Sequence, residues 1–379
     1  YAVLEDRLHL LNIYFGERGN AAVNTLLFSS LLGAPFSSDL VKKVIQAVAS
    51  TEITELQPLK AHLTGHSHHT HLQAEHYTII DEVYEILRRL NTHDEKYQYR
   101  HGLLHIFLDK QLDYLLDLTF VEDNIIQKNE FIELIISVVR KQIESMSFYK
   151  KPIEVLNSEQ VDIQIHHESV LASVIAKGFN LNPMRWIDEH CIILNTLARS
   201  QKKNNQIDKA IKLEETSLSI LRPFIYHDLE HELENIPDEW VNNYTATLSN
   251  LASSYMSKNQ SDKAIRCEEE SLIITEYFYN KDKSKWVDRY FTCVNNLGCS
   301  YRDCNKLNKA IELNKLALFI SETKFAEETD EWAKSYNASL INLAQTLSQS
   351  NQLERAIELQ EHSLKLCKIY YDEDKDSWA

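Results

Sequence analysis

The densest group of side chains that could do chemistry is a run of histidines between positions 62 and 76. Within it, His66, His68, His69 and His71 carry imidazole nitrogens that could bind a zinc ion. No cysteine or pair of carboxylates lies beside them, and a polar loop would not hold four ligands in a fixed geometry. We therefore expect an exposed loop without a metal or any other cofactor. Zinc binding by these four histidines is the alternative.

Other catalytic and nucleotide-binding patterns are missing from the sequence. Neither GxxxxGK(S/T) nor GxGxxG occurs, so no nucleotide site is expected. His101-Gly102 resembles the histidine motif of caspase-like proteases, but those enzymes also need a cysteine that follows a strand. All six cysteines lie in helix-like segments of the second half and form no CxxC pair, which is typical of reduced thiols in a cytoplasmic protein. We predict that the chain is not an enzyme.

The composition favours an all-α fold. Seven glycines and six prolines among 379 residues are too few for the tight turns of a β-sandwich or a Rossmann domain. The formal charge of −16 opposes nonspecific binding to nucleic acid, which requires a basic surface. No run of 18 apolar residues could span a membrane. We expect a cytoplasmic protein that binds neither membranes nor nucleic acid.

Tryptophan marks an internal repeat. The five tryptophans are Trp186, Trp240, Trp286, Trp332 and Trp378. The last four are 46 residues apart, and the first interval of 54 residues contains an eight-residue insertion within positions 222–239. Counted from each of the first four tryptophans, position +11 is leucine, +12 is alanine or glycine, +19 is asparagine, and +24 and +25 are alanine and isoleucine. This recurrence predicts four copies of one unit and a fifth, truncated copy that begins at Trp378, so we expect the array to continue in the parent protein.

Each copy has the pattern of a helical hairpin. Positions +4, +8, +11 and +15 form an apolar stripe with helical spacing, as in Tyr244, Leu248, Leu251 and Tyr255. The asparagine at +19 suits the left-handed conformation that ends helix A, and an acidic or amide residue at +22 should open helix B. Small residues at +12 and +24 should let the two helices approach closely. Because one hairpin cannot bury both faces, we expect stacked hairpins to form an α-solenoid.

This spacing resembles the tetratricopeptide repeat over residues 186–379. Positions +8, +11, +12, +15, +24 and +31 match that family, and Val294-Asn295-Asn296-Leu297-Gly298 is similar to the longer repeats of kinesin light chains. The sequence departs from the family in lacking the helix-ending proline and in having a tryptophan where helix A opens. The resemblance implies a protein-binding array in which helix A lines a concave groove.

Asparagines recur on the expected inner side of helix A, namely Asn195, Asn250, Asn295, Asn296 and Asn342. An amide side chain both donates and accepts hydrogen bonds, so a row of amides can bind the backbone of an extended peptide. The resemblance to kinesin light chains implies this use, and we take these five residues as the candidate ligand-binding site. The alternative is that the amides cap local backbone or face water.

Two other recurrent features are expected to be structural. The tryptophans recur at the junctions of repeats, which favours packing over ligand recognition. The acidic residues that precede them, such as Asp282 and Glu328, favour solvated connections over the attraction of a basic partner.

The first half does not repeat, and its pattern between residues 20 and 90 is that of a winged helix. Its second helix, Asp39–Ser50, has Ser38 as N-cap. Leu31–Val44 and Tyr77–Val83 resemble the winged helix that follows the ATPase core in STAND-class NTPases of innate immunity and bacterial antiphage defence. Many of those proteins carry tetratricopeptide arrays as sensors. Tyr97–Leu118 and Asn129–Met146 are predicted to form further helices.

The sequence therefore predicts three parts: a winged-helix-like module at 1–92, a helical connector with divergent hairpins at 93–185, and a tetratricopeptide array at 186–379. We expect a sensor or scaffold that binds a protein or peptide and regulates a STAND-type NTPase in defence signalling, with any oligomerisation occurring through the parent protein. A freestanding adaptor, a peptide-sensing winged-helix transcriptional regulator and a metal-dependent enzyme built on the histidines are the alternatives.

Overall fold

The computed structural model describes residues 38–53, 57, 125–146, 148, 151–231 and 236–373. These residues form eleven α-helices and one 3-10 helix, and no strand occurs among them. The α-helices are α1 (Ser38–Ala49), α2 (Ile125–Glu144), α3 (Ser158–Leu181), α4 (Pro183–Lys203), α5 (Ile207–His231), α6 (Asp238–Ser257), α7 (Ser261–Lys281), α8 (Lys283–Asp303), α9 (Leu307–Glu327), α10 (Thr329–Gln349) and α11 (Leu353–Glu373). The predicted all-α fold class is confirmed over this part of the chain.

The chain divides into two compact units between Gln206 and Ile207. The N-terminal unit contains α1 to α4, and the C-terminal unit contains α5 to α11. In the C-terminal unit each helix packs against the next, which is the stacking expected of a solenoid of helical hairpins. The predicted stripe is buried there, because Tyr244, Leu248, Leu251 and Tyr255 are between 0% and 7% exposed.

The turn between helix A and helix B is the same in all four repeats. Asn205, Asn259, Asn305 and Asn351 have φ angles of 57°, 57°, 56° and 62°, which confirms the predicted left-handed conformation. The residue after each asparagine donates its backbone N–H to the carbonyl five residues earlier, as in Gln260 N to Tyr255 O at 2.8 Å. This bond satisfies a carbonyl that the end of helix A would otherwise leave unpaired.

Helix B begins one residue earlier than the +22 position suggests. Asp208, Asp262 and Glu354 lie inside the first turn of α5, α7 and α11, after the residue that opens the helix. In α7 and α9 the residue before the helix makes no side-chain capping bond. The acid therefore stabilises helix B through its charge at the positive end of the helix dipole rather than as a cap.

The tryptophans of the first four repeats are core residues, as predicted. Trp186, Trp240, Trp286 and Trp332 are 2%, 6%, 4% and 4% exposed. In the C-terminal unit each one packs beside a phenylalanine, with ring centroids 5.2 Å apart for Phe224–Trp240, 5.1 Å for Phe278–Trp286 and 5.3 Å for Phe291–Trp332. Trp378 lies outside the described residues.

Buried polar side chains also join successive hairpins in the C-terminal unit. Ser254 Oγ of α6 donates to Glu214 Oε2 of α5 at 2.8 Å, and Asn314 Nδ2 of α9 donates to Thr346 Oγ1 of α10 at 2.7 Å. All four side chains are at most 1% exposed. Each pair joins position +28 of one repeat to the hydroxyl at +14 of the next. We call this pairing the inter-repeat clasp. It fixes the register of neighbouring hairpins because a buried polar group without its partner is costly.

In the N-terminal unit, α1 packs on α2, α2 on α3, and α3 on α4. Trp186 Nε1 donates to Asn129 Oδ1 at 2.9 Å. Gly178 of α3 permits this packing, since a Cβ there would lie 2.9 Å from the Trp186 ring and 3.1 Å from Ile132 Cγ2. The close approach of three helices therefore depends on one glycine.

α3 shares two features with the helices that take the B position in the repeats. A single residue, Asn182, separates it from α4, with φ −147° and ψ 85°, close to the values of −142° and 95° at Asp282 between α7 and α8. Glu168 of α3 is 1% exposed and lies 18 residues before Trp186, as Glu268 lies before Trp286. The boundary predicted between connector and array, at residues 185 and 186, stays a prediction.

Most of the predicted winged-helix module lies outside the described residues, and so do His66, His68, His69 and His71. Within the described part, α1 lies one residue earlier than the helix predicted at Asp39–Ser50, so Ser38 is its first residue and not its N-cap. α2 begins four residues before the predicted Asn129. Over the described ranges no three His, Cys, Asp or Glu side chains form a group that could bind a metal ion. No helix in this part of the chain has the length and hydropathy that a membrane span needs.

Candidate polypeptide-binding surface

The side of helix A opposite the buried stripe faces solvent and carries the predicted asparagines. In the C-terminal unit Asn250 of α6 is exposed, and Asn295 and Asn296 of α8 and Asn342 of α10 are half-buried. In the sequence, positions +9 and +10 lie between the buried positions +8 and +11. We call the solvent-facing sides of α6, α8 and α10 the helix-A surface.

Two of the predicted residues are in direct contact. Asn342 Nδ2 donates to Asn295 Oδ1 at 2.9 Å, so an amide pair bridges α8 and α10. The Nδ2 group of Asn295 and the whole amide of Asn296 make no hydrogen bond with a described residue. They therefore keep donors and acceptors for another molecule.

Arg302 belongs to the same cluster, although no pattern in the sequence predicts it. Its Nη1 donates to Gln345 Oε1 at 2.9 Å and reaches Asn342 Oδ1 at 3.4 Å, while Nε pairs with Asp303 at 3.1 Å. The +16 position of the other repeats is Lys202, Met256 or Ser348, so no recurrence marks it. The guanidinium orients the Asn342 amide and remains beside it as a charged donor.

Asn195 is half-buried on α4, in the N-terminal unit. Asn250 belongs to the C-terminal unit, where its backbone carbonyl accepts from Ser254 Oγ at 3.1 Å, so it lies on the same turn as the inter-repeat clasp. The structure thus brings together Asn295, Asn296 and Asn342, and places Asn250 on the preceding helix A.

The helix-A surface offers hydrogen bonds rather than reactive groups. Its exposed charges have both signs, as at Asp288, Asp303 and Lys334. Burial raises the pKa of the Cys299 thiol beside the asparagines, so this thiol is protonated at neutral pH and is a poor nucleophile. The arrangement suits recognition of polar backbone groups and contains no acid–base pair.

Comparison with protein families identifies the repeat. Residues 338–374, from the middle of α10 through α11, match the family model described as tetratricopeptide repeat. The chain contains a tetratricopeptide repeat. The resemblance predicted from the sequence is therefore confirmed, and the winged-helix resemblance stays a prediction. Such a fold is typically a non-enzymatic scaffold for protein interactions.

Solved structures similar to this chain include repeat proteins of several kinds. One is a Podosopora anserina protein with nearly identical TPR-like repeats of the kinesin light chain type, 20% identical, with a TM-score of 0.44 over 61% of this chain and 95% of that chain. BtubC (BKLC) from P. vanneervenii is 17% identical, with a TM-score of 0.41 over 66% of this chain and 93% of that chain.

A third is a signal transduction ATPase with numerous domains (STAND) with a tetratricopeptide repeat sensor, from Pyrococcus horikoshii. It is 13% identical, with a TM-score of 0.21 over 89% of this chain and 65% of that chain. No curated protein matches the sequence.

Proposed function

We propose that the helix-A surface binds an extended segment of a protein or peptide through its amide side chains. The observation that carries this proposal is the set of unused hydrogen-bonding groups on Asn295 and Asn296, beside an amide pair that is already oriented. An extended peptide presents alternating N–H and C=O groups, and an amide can bind both. Asn250 and Asn342 complete the proposed site on this surface, and ligand binding by Asn195 of the N-terminal unit stays a separate proposal.

The rigidity of the supporting helices favours such binding. The Asn342–Asn295 bond and Arg302 hold the amides before a ligand arrives, so less side-chain entropy is lost when it binds. The inter-repeat clasp between Asn314 and Thr346 has the same effect on the helices, because it fixes α10 against α9. Recognition would depend on the backbone of the ligand, with modest demand on its sequence.

A peptide selected from a random phage-displayed library against the full chain provides the probe. The triple variant Asn250→Ala, Asn296→Ala, Asn342→Ala should weaken its affinity by about tenfold or more, since several hydrogen bonds are lost together. Isothermal titration calorimetry measures the affinity, and thermal melting checks that the variant folds.

The matched control changes three exposed residues at position +26 of helix B, namely Lys212→Ala, Glu312→Ala and Glu358→Ala. Its affinity should equal that of the unchanged chain. A selected peptide that binds the asparagine variant as tightly as the unchanged chain would remove the asparagines from the site, and so would equal losses in both triple variants.

We further propose that the array acts as the cytoplasmic sensor of a STAND-type NTPase in defence signalling. The support is the sequence resemblance of Leu31–Val44 and Tyr77–Val83 to the STAND winged helix, together with six cysteines that form no disulfide. Sensing requires the ligand to bind the active state more tightly than the resting state, because equal affinity would not change their ratio.

The coding sequence upstream of Tyr1 tests this finer proposal. A P-loop followed by a Walker-B acid is the expected result. An upstream sequence without them would contradict the sensor proposal and favour a freestanding adaptor, while leaving peptide binding by the helix-A surface unaffected.

A further inference from the structure

A cleft lies at the junction that contains the eight-residue insertion, on the side of the hairpins opposite the helix-A surface. α5 has 25 residues, whereas α7, α9 and α11 have 21 each. The middle of α5, the second half of α6 and the first half of α7 line a cleft of about 910 Å³. Arg222, Pro223 and Tyr226 of the lengthened helix form one wall, and Leu218, Leu248 and Leu251 lie at the bottom. All of these residues belong to the C-terminal unit.

One carboxylate of the cleft, that of Glu270, accepts hydrogen bonds from three neighbouring side chains. Glu270 accepts from Arg222 Nη2 at 3.0 and 3.2 Å, from Tyr226 OH at 3.1 Å and from Tyr244 OH at 2.5 Å. Arg222 Nε donates to Tyr244 OH at 2.9 Å, which closes the network. Burial and the adjacent Glu270 carboxylate raise the pKa of the Tyr244 hydroxyl, so it stays a donor at neutral pH.

The carboxylate of Glu215, which also lines the cleft, has a hydrogen-bond partner as well. Glu215 Oε1 accepts from Tyr255 OH at 2.6 Å. Lys263 Nζ lies 5.0 Å from the centre of the Tyr255 ring, in a cation–π position. Neither Glu215 nor Glu270 pairs with Lys263 or Arg266 through a salt bridge.

Two cations on α7 are consequently open to a ligand. Lys263 and Arg266 are exposed, lie three residues apart on one side of the helix and form no ion pair with a described residue. Beside them the exposed ring of Tyr226 and the exposed Pro223 supply apolar contact area. The cleft therefore combines free positive charge with apolar surface, in a chain whose formal charge is −16.

The next junction of the same array lacks this combination. The residues equivalent to Arg222, Tyr226 and Glu270 one repeat later are Glu276, Asn280 and Leu316. Arg266 is replaced there by Glu312. The lysine at +23 recurs as Lys309, but its combination with Arg266 and Tyr226 does not recur at that junction.

We propose that this cleft is a second binding site, distinct from the helix-A surface, for a short acidic segment of a protein partner. Carboxylates of the segment pair with Lys263 and Arg266, and an apolar side chain packs on Pro223 and Tyr226. At physiological salt, electrostatic interactions between exposed charges are screened beyond about 8 Å. A short acidic segment in the cleft therefore interacts mainly with the nearby cations and little with the negative charge of the rest of the chain. A long polyanion such as nucleic acid also meets the negative remainder of the chain and is repelled.

The probe is a short fluorescein-labelled peptide of alternating glutamate and leucine, titrated against the full chain by fluorescence anisotropy. Lys263→Glu with Arg266→Glu should weaken its affinity by about tenfold or more, because attraction becomes repulsion at the contact. Ser219→Trp, which fills the cleft from an exposed position without a change of charge, should also weaken it. All three substituted positions are exposed, and thermal melting verifies that both variants fold.

Lys209→Glu with Lys212→Glu is the matched control, because these residues occupy the same two positions of the preceding helix B and do not line the cleft. Its affinity, and that of Asn295→Ala with Asn296→Ala, should equal that of the unchanged chain. The asparagine variant therefore separates this site from the helix-A proposal. Absence of peptide binding, equal losses in both charge-reversal variants, or equally tight binding of single-stranded DNA would each overturn the proposal.

Discussion

Glu268 shows how strongly the surroundings of a buried side chain change its pKa. It is 4% exposed, and its Oε2 accepts from Ser249 Oγ at 3.2 Å. Burial raises the pKa of its carboxyl from 4.5 to about 7, although the Ser249 bond and nearby Arg289 act in the opposite direction. Arg289 donates to Thr245 Oγ1 at 2.7 Å and to the Asn242 carbonyl at 2.9 Å, so it does not depend on Glu268 for partners.

This shift makes stability depend on pH. A carboxyl whose pKa is raised by folding holds its proton in the folded state between pH 4.5 and about 7, while the unfolded state releases it. Its contribution to stability is fully present below the unfolded pKa and is lost as the pH rises through the folded pKa. Glu268→Gln should therefore raise the melting temperature relative to the unchanged chain at about pH 8 and have little effect at about pH 5.

Thermal melts at the two pH values measure this difference. Glu312→Gln, on the exposed side of α9, is the control and should show the same small effect at both. A larger loss of stability for Glu268→Gln at the higher pH would mean that the charged form is favoured in the fold, and would contradict the argument.

At the scale of elements, the conformation of the turns could be predicted from the sequence, whereas the hydrogen bonds between side chains of different helices could not. The left-handed conformation could be predicted because a local turn determines it, at Asn205, Asn259, Asn305 and Asn351. The burial of the tryptophans could be predicted because they recur at a fixed interval. The Asn295–Asn342 bond and the role of Arg302 depend on how one helix A lies beside the next. The relative position of two A helices arises from packing between repeats, and no local pattern in the sequence predicts it.

The approach of α8 to α9 depends on the glycine at +12, where the other repeats have alanine. A Cβ at Gly298 would lie 2.2 Å from Asn314 Oδ1. The amide of Asn314 cannot easily move away, because its Nδ2 donates to Thr346 Oγ1 at 2.7 Å in the inter-repeat clasp. The identity of one residue in helix A is thus determined by a side chain of helix B.

Gly298→Ala should destabilise the chain by about 1–3 kcal/mol through overpacking, although alanine is the better helix former by about 1 kcal/mol. In the background of Asn314→Ala the same substitution should be neutral or stabilising, since the clash is absent. Thr346 Oγ1 keeps its bond to the Asn342 carbonyl at 2.8 Å in that background. A double-mutant cycle by urea denaturation measures the coupling, and additive effects would show that Gly298 and Asn314 are not in conflict.

At the scale of the molecule, the contribution of a residue to the stability of a stacked array depends on whether the next hairpin packs against it. Position +25 is isoleucine in all four repeats. Ile265 of α7 is 4% exposed and packs in a cluster with Leu297, Tyr301 and Ala310 of the following hairpin, whereas Ile357 of α11 is 54% exposed. Sequence alone gives the two residues the same role, because their local patterns are equal.

The two isoleucines provide a matched test of this dependence. Ile265→Ala should cost about 2–4 kcal/mol, since it removes buried methyl groups between two hairpins and leaves a cavity. Ile357→Ala should change stability by about 0.5 kcal/mol or less, because most of its side chain is already in water. Both substitutions change isoleucine to alanine at the same helical position, so helix propensity contributes equally to each. Urea denaturation of the full chain measures the two free energies of unfolding, and equal losses would show that α11 is covered in solution as completely as α7.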